Sequence, residues 1–352
     1  MNSRYLLPLV SLLLLFGVAA AADQKVGLMI PLTGDFGYFG AEVKKGFEIA
    51  EEQAKASGQT VPEVFIEDEQ CLARPSVSAI NNLINVKKIS MMIGPACSTS
   101  IYSVAPIAAK NSLKTIFLLD AGQRVAKMAD PLYSLGFDPE QMARSLAGDA
   151  VKRKLLKVGI IAEEEEYAGL VSKAFEAEFR RQGGEVTLAE NVPVNSDSLR
   201  TVLTKVLSQK VDFIFFSSAY QAGTFLKQLR VLNENVPVYG NDTMCVSDTI
   251  DAAGAAAERV RCANVLLDES KAMAANFRKA LEKKYGAAPT SLFYASLGHD
   301  AFYLMQQELR NGESAGKLLL GAGRRGEDGI YYVEPKVLEI RSGKMLPVES
   351  LK

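Results

Sequence analysis

The chain has no tryptophan and a single histidine, His299. One imidazole leaves little for general-base chemistry, and neither a Walker motif nor H-E-x-x-H occurs, so an enzyme is not expected. No CxxC is present, which argues against zinc, and no cofactor or metal is expected. Charge of one sign is also missing: 40 basic and 41 acidic residues give a net charge of −1, with no electrostatic case for nucleic acid. Beyond the N-terminus no run is apolar enough to span a membrane.

At the N-terminus Arg4 precedes an apolar stretch from Tyr5 to Val18, followed by Ala19-Ala20-Ala21-Ala22. This pattern predicts a signal peptide over residues 1–22, cleaved after Ala22, and hence export to the periplasm. An uncleaved anchor is the alternative reading, disfavoured because the run is short for a bilayer. No cysteine follows the run to accept a lipid. Cleavage leaves 39 basic and 41 acidic groups, a net charge of −2. Four cysteines in an exported chain imply disulfides, and four allow three pairings. The expected pairs are Cys71 with Cys97 and Cys245 with Cys262, each tying a loop after one strand to a neighbouring element. Such a bridge, closing about 20 residues, contributes on the order of 3 kcal/mol when unstrained.

About 330 mature residues, with 48% hydrophobic composition, fill two cores better than one. Short β-rich runs at Lys25–Ile30, Glu63–Glu67, Ile89–Ile93, Lys114–Leu118, Lys157–Ile161, Glu185–Glu190, Val211–Phe216, Val236–Tyr239 and Arg261–Leu266 alternate with amphipathic stretches. Helices are expected at Ala41–Ala56, Pro75–Val86, Tyr167–Gln182, Leu199–Ser208 and Gln221–Leu232. This alternation is an α/β pattern of parallel sheets covered on both faces, here two Rossmann-like lobes joined by a hinge of several crossovers. The series breaks at Pro131-Leu132-Tyr133-Ser134-Leu135-Gly136-Phe137, before a helix starting near Asp138. After Asp268 it changes to long helices, Lys271–Tyr285 and Ser291–Asn311, and short strands near Tyr331 and Val337. The expected division is lobe 1 over 23–137 and 269–332, and lobe 2 over 138–268 and 333–352.

Ligands of open parallel sheets bind at the carboxyl ends of the strands. After Ile30 comes a glycine-rich turn with Phe36, Tyr38 and Phe39, and after Ile93 comes Gly94-Pro95-Ala96-Cys97-Ser98-Thr99-Ser100, where a helix begins. The first turn of that helix suits a carboxylate; an ordinary Ser/Thr cap is the plainer alternative. Leu119-Asp120-Ala121-Gly122 follows the next strand, and the acidic run Glu163–Glu166 with Tyr167 follows Ile161. The four glutamates read as a solvated first helical turn. Tyr220 follows Phe216, and Gly240-Asn241-Asp242 follows Tyr239. Together these residues can hold a small zwitterion, Ser98 and Thr99 at its carboxylate, Asp242 at its ammonium, and Phe39, Tyr167 and Tyr220 around its side chain. Packing and capping are the competing roles for the tyrosines and for Asp242.

The opening Val26-Gly27-Leu28-Met29-Ile30-Pro31-Leu32-Thr33-Gly34, the segment Glu67-Asp68-Glu69-Gln70-Cys71 and the segment Ile93 to Ser100 together resemble the type I periplasmic binding proteins of the leucine/isoleucine/valine-binding group. The resemblance spans nearly the whole mature chain. It implies a receptor, expected as a monomer, that closes two lobes around a small ligand and delivers it to the membrane permease of an ABC importer. It assigns the ligand carboxylate to Ser98, cleft positions to Phe39, Tyr167 and Tyr220, and the ammonium to Asp242. Leu119-Asp120-Ala121-Gly122 departs from the group, which presents a threonine there, so an aromatic acid, an amide or a urea stands beside an amino acid as ligand.

Two rival readings remain. Gly321-Ala322-Gly323-Arg324-Arg325-Gly326 fits the dinucleotide G-x-G-x-x-G pattern, but too little chain follows for a βαβ unit, and it reads as a surface turn. A ligand sensor on the same fold is the other; the export signal and the lack of an output domain favour transport.

Overall fold

The computed structural model describes residues 24–120, 123–129, 133–286, 291–310, 318–320 and 330–351. Its described residues fall into two compact units, one within Met1–Gly136 and Leu267–Tyr332, the other within Phe137–Leu266 and Val333–Lys352. The expected signal peptide and the G-x-G-x-x-G run lie outside the described residues.

Unit 1 is built on strands β1 (Lys25–Ile30), β2 (Glu63–Asp68), β3 (Met91–Ile93), β4 (Lys114–Asp120), β5 (Tyr133–Phe137) and β11 (Ile330–Tyr332), in the sheet order β11-β5-β4-β3-β1-β2. The β1–β2, β1–β3, β3–β4 and β5–β11 pairs are parallel. Helices α1 (Gly37–Ala56), α2 (Ala73–Asn82), α3 (Ser98–Lys110) and α4 (Gln123–Ala129) follow the first four strands. Two later helices return to this unit, α10 (Ala272–Tyr285) and α11 (Leu292–Arg310). Helices α1 and α11 approach closely because each offers a glycine to the other's backbone. A Cβ on Gly46 would strike the carbonyl of Ala295, and one on Gly298 that of Val43.

Unit 2 shows how a continuous apolar run makes a two-faced strand. Its strands are β6 (Lys157–Glu163), β7 (Glu185–Val192), β8 (Phe213–Ser217), β9 (Val238–Gly240), β10 (Arg261–Asn264), β12 (Lys336–Arg341) and β13 (Lys344–Pro347), in the order β13-β12-β10-β9-β8-β6-β7. Its helices are α5 (Pro139–Lys152), α6 (Glu166–Arg181), α7 (Arg200–Leu207), α8 (Ala222–Leu232) and α9 (Ser247–Ala253). Every residue of β8 is buried, and successive side chains alternate faces. Phe215 stacks on Phe175 of α6 at 3.8 Å between centroids, while Phe216 stacks on Phe225 of α8 at 3.9 Å.

Several boundaries differ from expectation for identifiable reasons. Strand β8 starts at Phe213 because Asp212 turns its carboxylate back to the N–H groups of Leu156 and Lys157, at 2.8 and 2.9 Å. Strand β10 ends at Asn264, whose side chain accepts from Val265 N at 2.7 Å. The sheets are not wholly parallel: β12 runs antiparallel to β10, and β13 antiparallel to β12. A two-residue turn joins β12 to β13, with Ser342 and Gly343 at φ 50° and 73°, which suits the hairpin twist. Helix α4 and strands β5 and β13 were not anticipated. Asp138 caps α5 by accepting from Glu140 N at 2.8 Å, with Pro139 in the first turn.

Both cysteine pairs are as expected. Cys71–Cys97 and Cys245–Cys262 have Cα separations of 5.3 and 6.0 Å, within the range a disulfide requires. The first joins the segment after β2 to the start of α3, and the second lies in the core of unit 2.

The turn after β3 depends on Gly94. It has φ 90°, and a Cβ there would collide with the carbonyl of Met29. Gly94 N donates to Ile116 O at 2.8 Å and Leu118 N to Pro95 O at 3.1 Å, so the turn stays attached to β4. Gly94→Ala is expected to lower stability by more than about 1 kcal/mol, combining backbone strain with the collision; an unchanged denaturant midpoint would contradict this.

Candidate functional site

In unit 1 the carboxyl ends of β1, β2 and β3 are tied together by adjacent carboxylates. Asp68, the last residue of β2, accepts from Leu32 N at 2.8 Å, Thr33 Oγ1 at 2.5 Å and Gln70 N at 3.1 Å, which fixes the loop after β1. Burial raises the pKa of its carboxyl, but these hydrogen bonds outweigh it and hold the group below its ordinary value. Glu69 is buried beside the Cys71–Cys97 disulfide. It accepts from Cys71 N at 2.7 Å and from Ser100 Oγ, and Ser76 Oγ joins the cluster by donating to Ser100 Oγ at 2.8 Å. Burial pushes Glu69 up to about 7 despite these donors.

This cluster seats the first turn of α3. The N-cap is Cys97 and makes no side-chain capping bond. Ser98 is therefore not a cap, as the plainer reading had it, but the first helical residue, buried and followed by half-buried Thr99. Both sit at the positive end of the helix dipole. Phe39 is buried in α1 and packs edge-on against Tyr294 of α11 at 4.7 Å. Asp120 is the last residue of β4, and Ala121 and Gly122 lie outside the described residues.

Unit 2 repeats the device with Glu163. Its side chain is buried at the end of β6 and grips the loop after β8, accepting from Ser218 Oγ at 2.6 Å and from the N–H groups of Ala219, Tyr220 and Gln221 at 2.7, 2.9 and 2.8 Å. Glu163 thus corrects the picture of a solvated glutamate turn. Glu165, by contrast, does cap α6, accepting from Ala168 N at 3.0 Å. Asn241 closes the same loop from β9, its Oδ1 accepting from Ser218 N at 3.1 Å and its Nδ2 donating to Ser218 O at 2.8 Å.

Next to it, Asp242 is buried and accepts from the half-buried Tyr167 hydroxyl at 2.6 Å. Burial pushes its carboxyl up to about 6, against the lowering effect of Tyr167. Unit 2 therefore groups Tyr167, Tyr220 and Asp242 at the carboxyl ends of β6, β8 and β9. Unit 1 places Ser98 and Thr99 at the carboxyl end of β3. Sequence reasoning missed Glu69, Glu163 and Asn241. The available signal for Glu163 was its place directly at the end of an apolar strand, where a side chain points inward as readily as out.

Glu69, Cys71 and Cys97 are the one group among the described residues whose ligand atoms cluster closely enough for a metal. Both sulfurs are committed to a disulfide, so the donor set does not suit one. His299 is a core residue, beside Asp300 at 2.8 Å and against Phe277 and Tyr303. Gly312-Glu313-Ser314-Ala315-Gly316 fits the G-x-S-x-G pattern and lies outside the described residues. It follows α11 rather than a strand and so lacks the setting of a nucleophile elbow.

Two α/β units with polar and aromatic side chains gathered at the carboxyl ends of their parallel strands are an arrangement suited to binding a small ligand. The Periplasmic binding protein family profile matches residues 23–315, and the chain belongs to that family. It is 26% identical over 252 residues to the Leu/Ile/Val-binding protein BraC3 of Rhizobium johnstonii, covering 68% of each chain. Among solved structures it resembles the branched-chain amino acid transporter substrate binding protein LivJ of Streptococcus pneumoniae in complex with isoleucine, with TM-score 0.78, 21% identity and coverage of 92% of this chain and 97% of the other. It equally resembles a solute binding protein of an ABC transporter from Rhodopseudomonas palustris BisB5 in complex with 3,4-dihydroxybenzoic acid, with TM-score 0.75, 22% identity and coverage of 92% and 95%.

Three carboxyls raised by burial, Glu69, Asp242 and Asp138, set a pH dependence. A carboxyl with a raised native pKa binds its proton more tightly in the folded state, so its stabilisation is complete below the unfolded pKa and is lost as pH rises through the native one. Glu69 goes from 4.5 to about 7 and Asp242 from 3.8 to about 6, so unfolding free energy should fall between about pH 4 and 7. Glu69 alone accounts for roughly 2 kcal/mol of that fall. Glu48 and Glu178, held near about 2, act only at lower pH. Glu69→Gln should flatten the profile measured by urea unfolding; an unaltered slope would remove Glu69 as its source.

Proposed function

We propose that this protein is the exported solute receptor of an ABC importer, that its signal peptide is cleaved after Ala22, and that it binds a small amino acid. In this reading Ser98 and Thr99, with the first turn of α3, take the carboxylate, and Asp242, positioned by Tyr167, takes the ammonium. Phe39, Tyr167 and Tyr220 bound the side chain, and the segment Asp120-Ala121-Gly122 completes the set. A ligand bound by residues of both units would favour a closed form of a two-lobed receptor over an open one. A monomer delivering this ligand to a membrane permease completes the proposal.

The observation that carries the reading is Asp242. A buried carboxyl at a strand end, bound by the Tyr167 hydroxyl and by the backbone N–H groups of Asp242 and Thr243 but with no cation beside it among the described residues, is the feature an ammonium ligand would complete, through a charge-assisted hydrogen bond. The likeness to a dihydroxybenzoate-bound structure supports a second reading, an aromatic acid without an amine. For such a ligand Asp242 need not be ionised.

The two readings separate by pH and by mutation. An amino acid should bind more weakly at pH 5 than at pH 7.5, by up to about tenfold, as Asp242 takes up a proton near about 6. Asp242→Asn should abolish that pH dependence and selectively weaken ligands bearing a free amine, and Ser98→Ala should weaken every carboxylate ligand without unfolding the protein. Calorimetric titration of refolded protein with aliphatic amino acids and with benzoates measures all of these. Equal loss for amine-free acids in Asp242→Asn would refute the ammonium assignment, and unchanged affinity in Ser98→Ala would remove Ser98 from the site.

A further inference from the structure

Unit 2 has a second concave site at the opposite edge of its sheet. The amino ends of β9 and β10, the end of α5 and the end of β12 enclose a cavity of about 140 Å³. One water needs roughly 10–15 Å³, so the cavity has room for a small solute. It is lined by five arginines, Arg153, Arg230, Arg259, Arg261 and Arg341.

The carboxylates do not balance this charge. Arg261 donates to Asp149 at 2.6 Å and to Glu339 at 2.7 Å, and Arg341 pairs with the same Glu339. Tyr239 donates to Asp149 at 2.6 Å and accepts from Arg153 at 3.0 Å. The two available acids are thus shared among Arg261, Arg341 and, through Tyr239, Arg153. Arg230 is held by backbone carbonyls alone, donating to Val236 O at 2.7 Å and to Ala256 O at 3.4 Å. Among the described residues no carboxylate pairs with Arg153, Arg230 or Arg259. Burial and the nearby Arg259 charge both push the Arg230 guanidinium below its ordinary pKa, so the uncompensated charge has an energetic cost.

We propose that this cavity binds a small multiply charged oxyanion of the phosphate class, held by Arg230 and Arg259 with Arg153 at its rim. The fork of a guanidinium matches two oxygens of a tetrahedral anion, and several such forks converging on one cavity favour phosphate over a singly charged carboxylate. The site is separate from the candidate amino-acid residues of this unit: Asp242 follows the carboxyl end of β9, and Tyr167 and Tyr220 follow β6 and β8, which do not line the cavity. Its Arg261–Glu339 pair joins β10 to β12, and Arg341 holds the same Glu339 from within β12, so an anion bound there stabilises the antiparallel edge of the sheet.

The test is a thermal-shift and calorimetric titration of the full chain with sodium phosphate at pH 7.5, ionic strength being held constant with sodium chloride. The expected result is saturable binding that raises the melting temperature. Affinity should fall at least tenfold in Arg259→Ala, whose exposed side chain can be removed without disturbing the fold, and in Arg230→Gln, and be unchanged in Ser98→Ala. Glycerol 3-phosphate in parallel separates the sources: tighter binding than phosphate assigns an organic ester, weaker binding the free ion. A shift that follows ionic strength alone, or that survives both arginine substitutions, overturns the proposal. Loss of phosphate binding in Ser98→Ala would place the anion at the amino-acid residues instead, and equally overturns it.

Discussion

The arrangement rests on carboxylates that hold backbone N–H groups at strand ends. A loop leaving a parallel strand exposes several donors in succession, and an inward-facing carboxylate can satisfy three or four of them at once. Glu163 does this for the loop after β8, and Asp68 for the loop after β1. Glu69 does it with hydroxyls, joining α2 and α3 through Ser76 and Ser100. Candidate ligand residues next to these contacts take their positions from them. Tyr220 is an example, because its own N–H is one of the donors Glu163 binds.

The same contacts explain a division of labour among the acids. Glu163, Asp68 and Glu69 receive donors from loop backbone and hydroxyls and serve as scaffold, whereas Asp242 adds a tyrosine hydroxyl, that of Tyr167, to its backbone donors. Burial raises both Glu69 and Asp242. The arginine cavity is the inverse arrangement: cations in excess at the amino ends of strands, with too few acids to pair them.

Much of the architecture was legible in the sequence, because a parallel sheet writes itself as apolar runs separated by amphipathic helices. Phe213 to Phe216 could hardly be anything but a strand covered on both faces, and the Gly94–Ser100 segment marked a helix start without deciding which residue caps it. The antiparallel hairpin of β12 and β13 was not legible, since its strands are short and its cue is one Ser342-Gly343 turn. Glu163 was read with its acidic neighbours because charge composition does not reveal which side chain of a run points inward. The arginine cavity draws on Arg153, Arg230, Arg259 and Arg341, which are scattered in sequence and brought together by strand order alone. For the site, residue types at strand ends were visible, and the contacts that fix them were not.

Amide hydrogen exchange across residues 218–221 in native protein and in Glu163→Gln tests the scaffold most directly. Both carboxylate oxygens of Glu163 face donors, so replacing either with an amide nitrogen sets donor against donor. The account predicts that Ala219, Tyr220 and Gln221 are protected in the native protein and lose protection in the variant, while Phe215 in β8 stays protected. Rapid exchange of these three amides in the native protein, or identical protection in the variant, would contradict it.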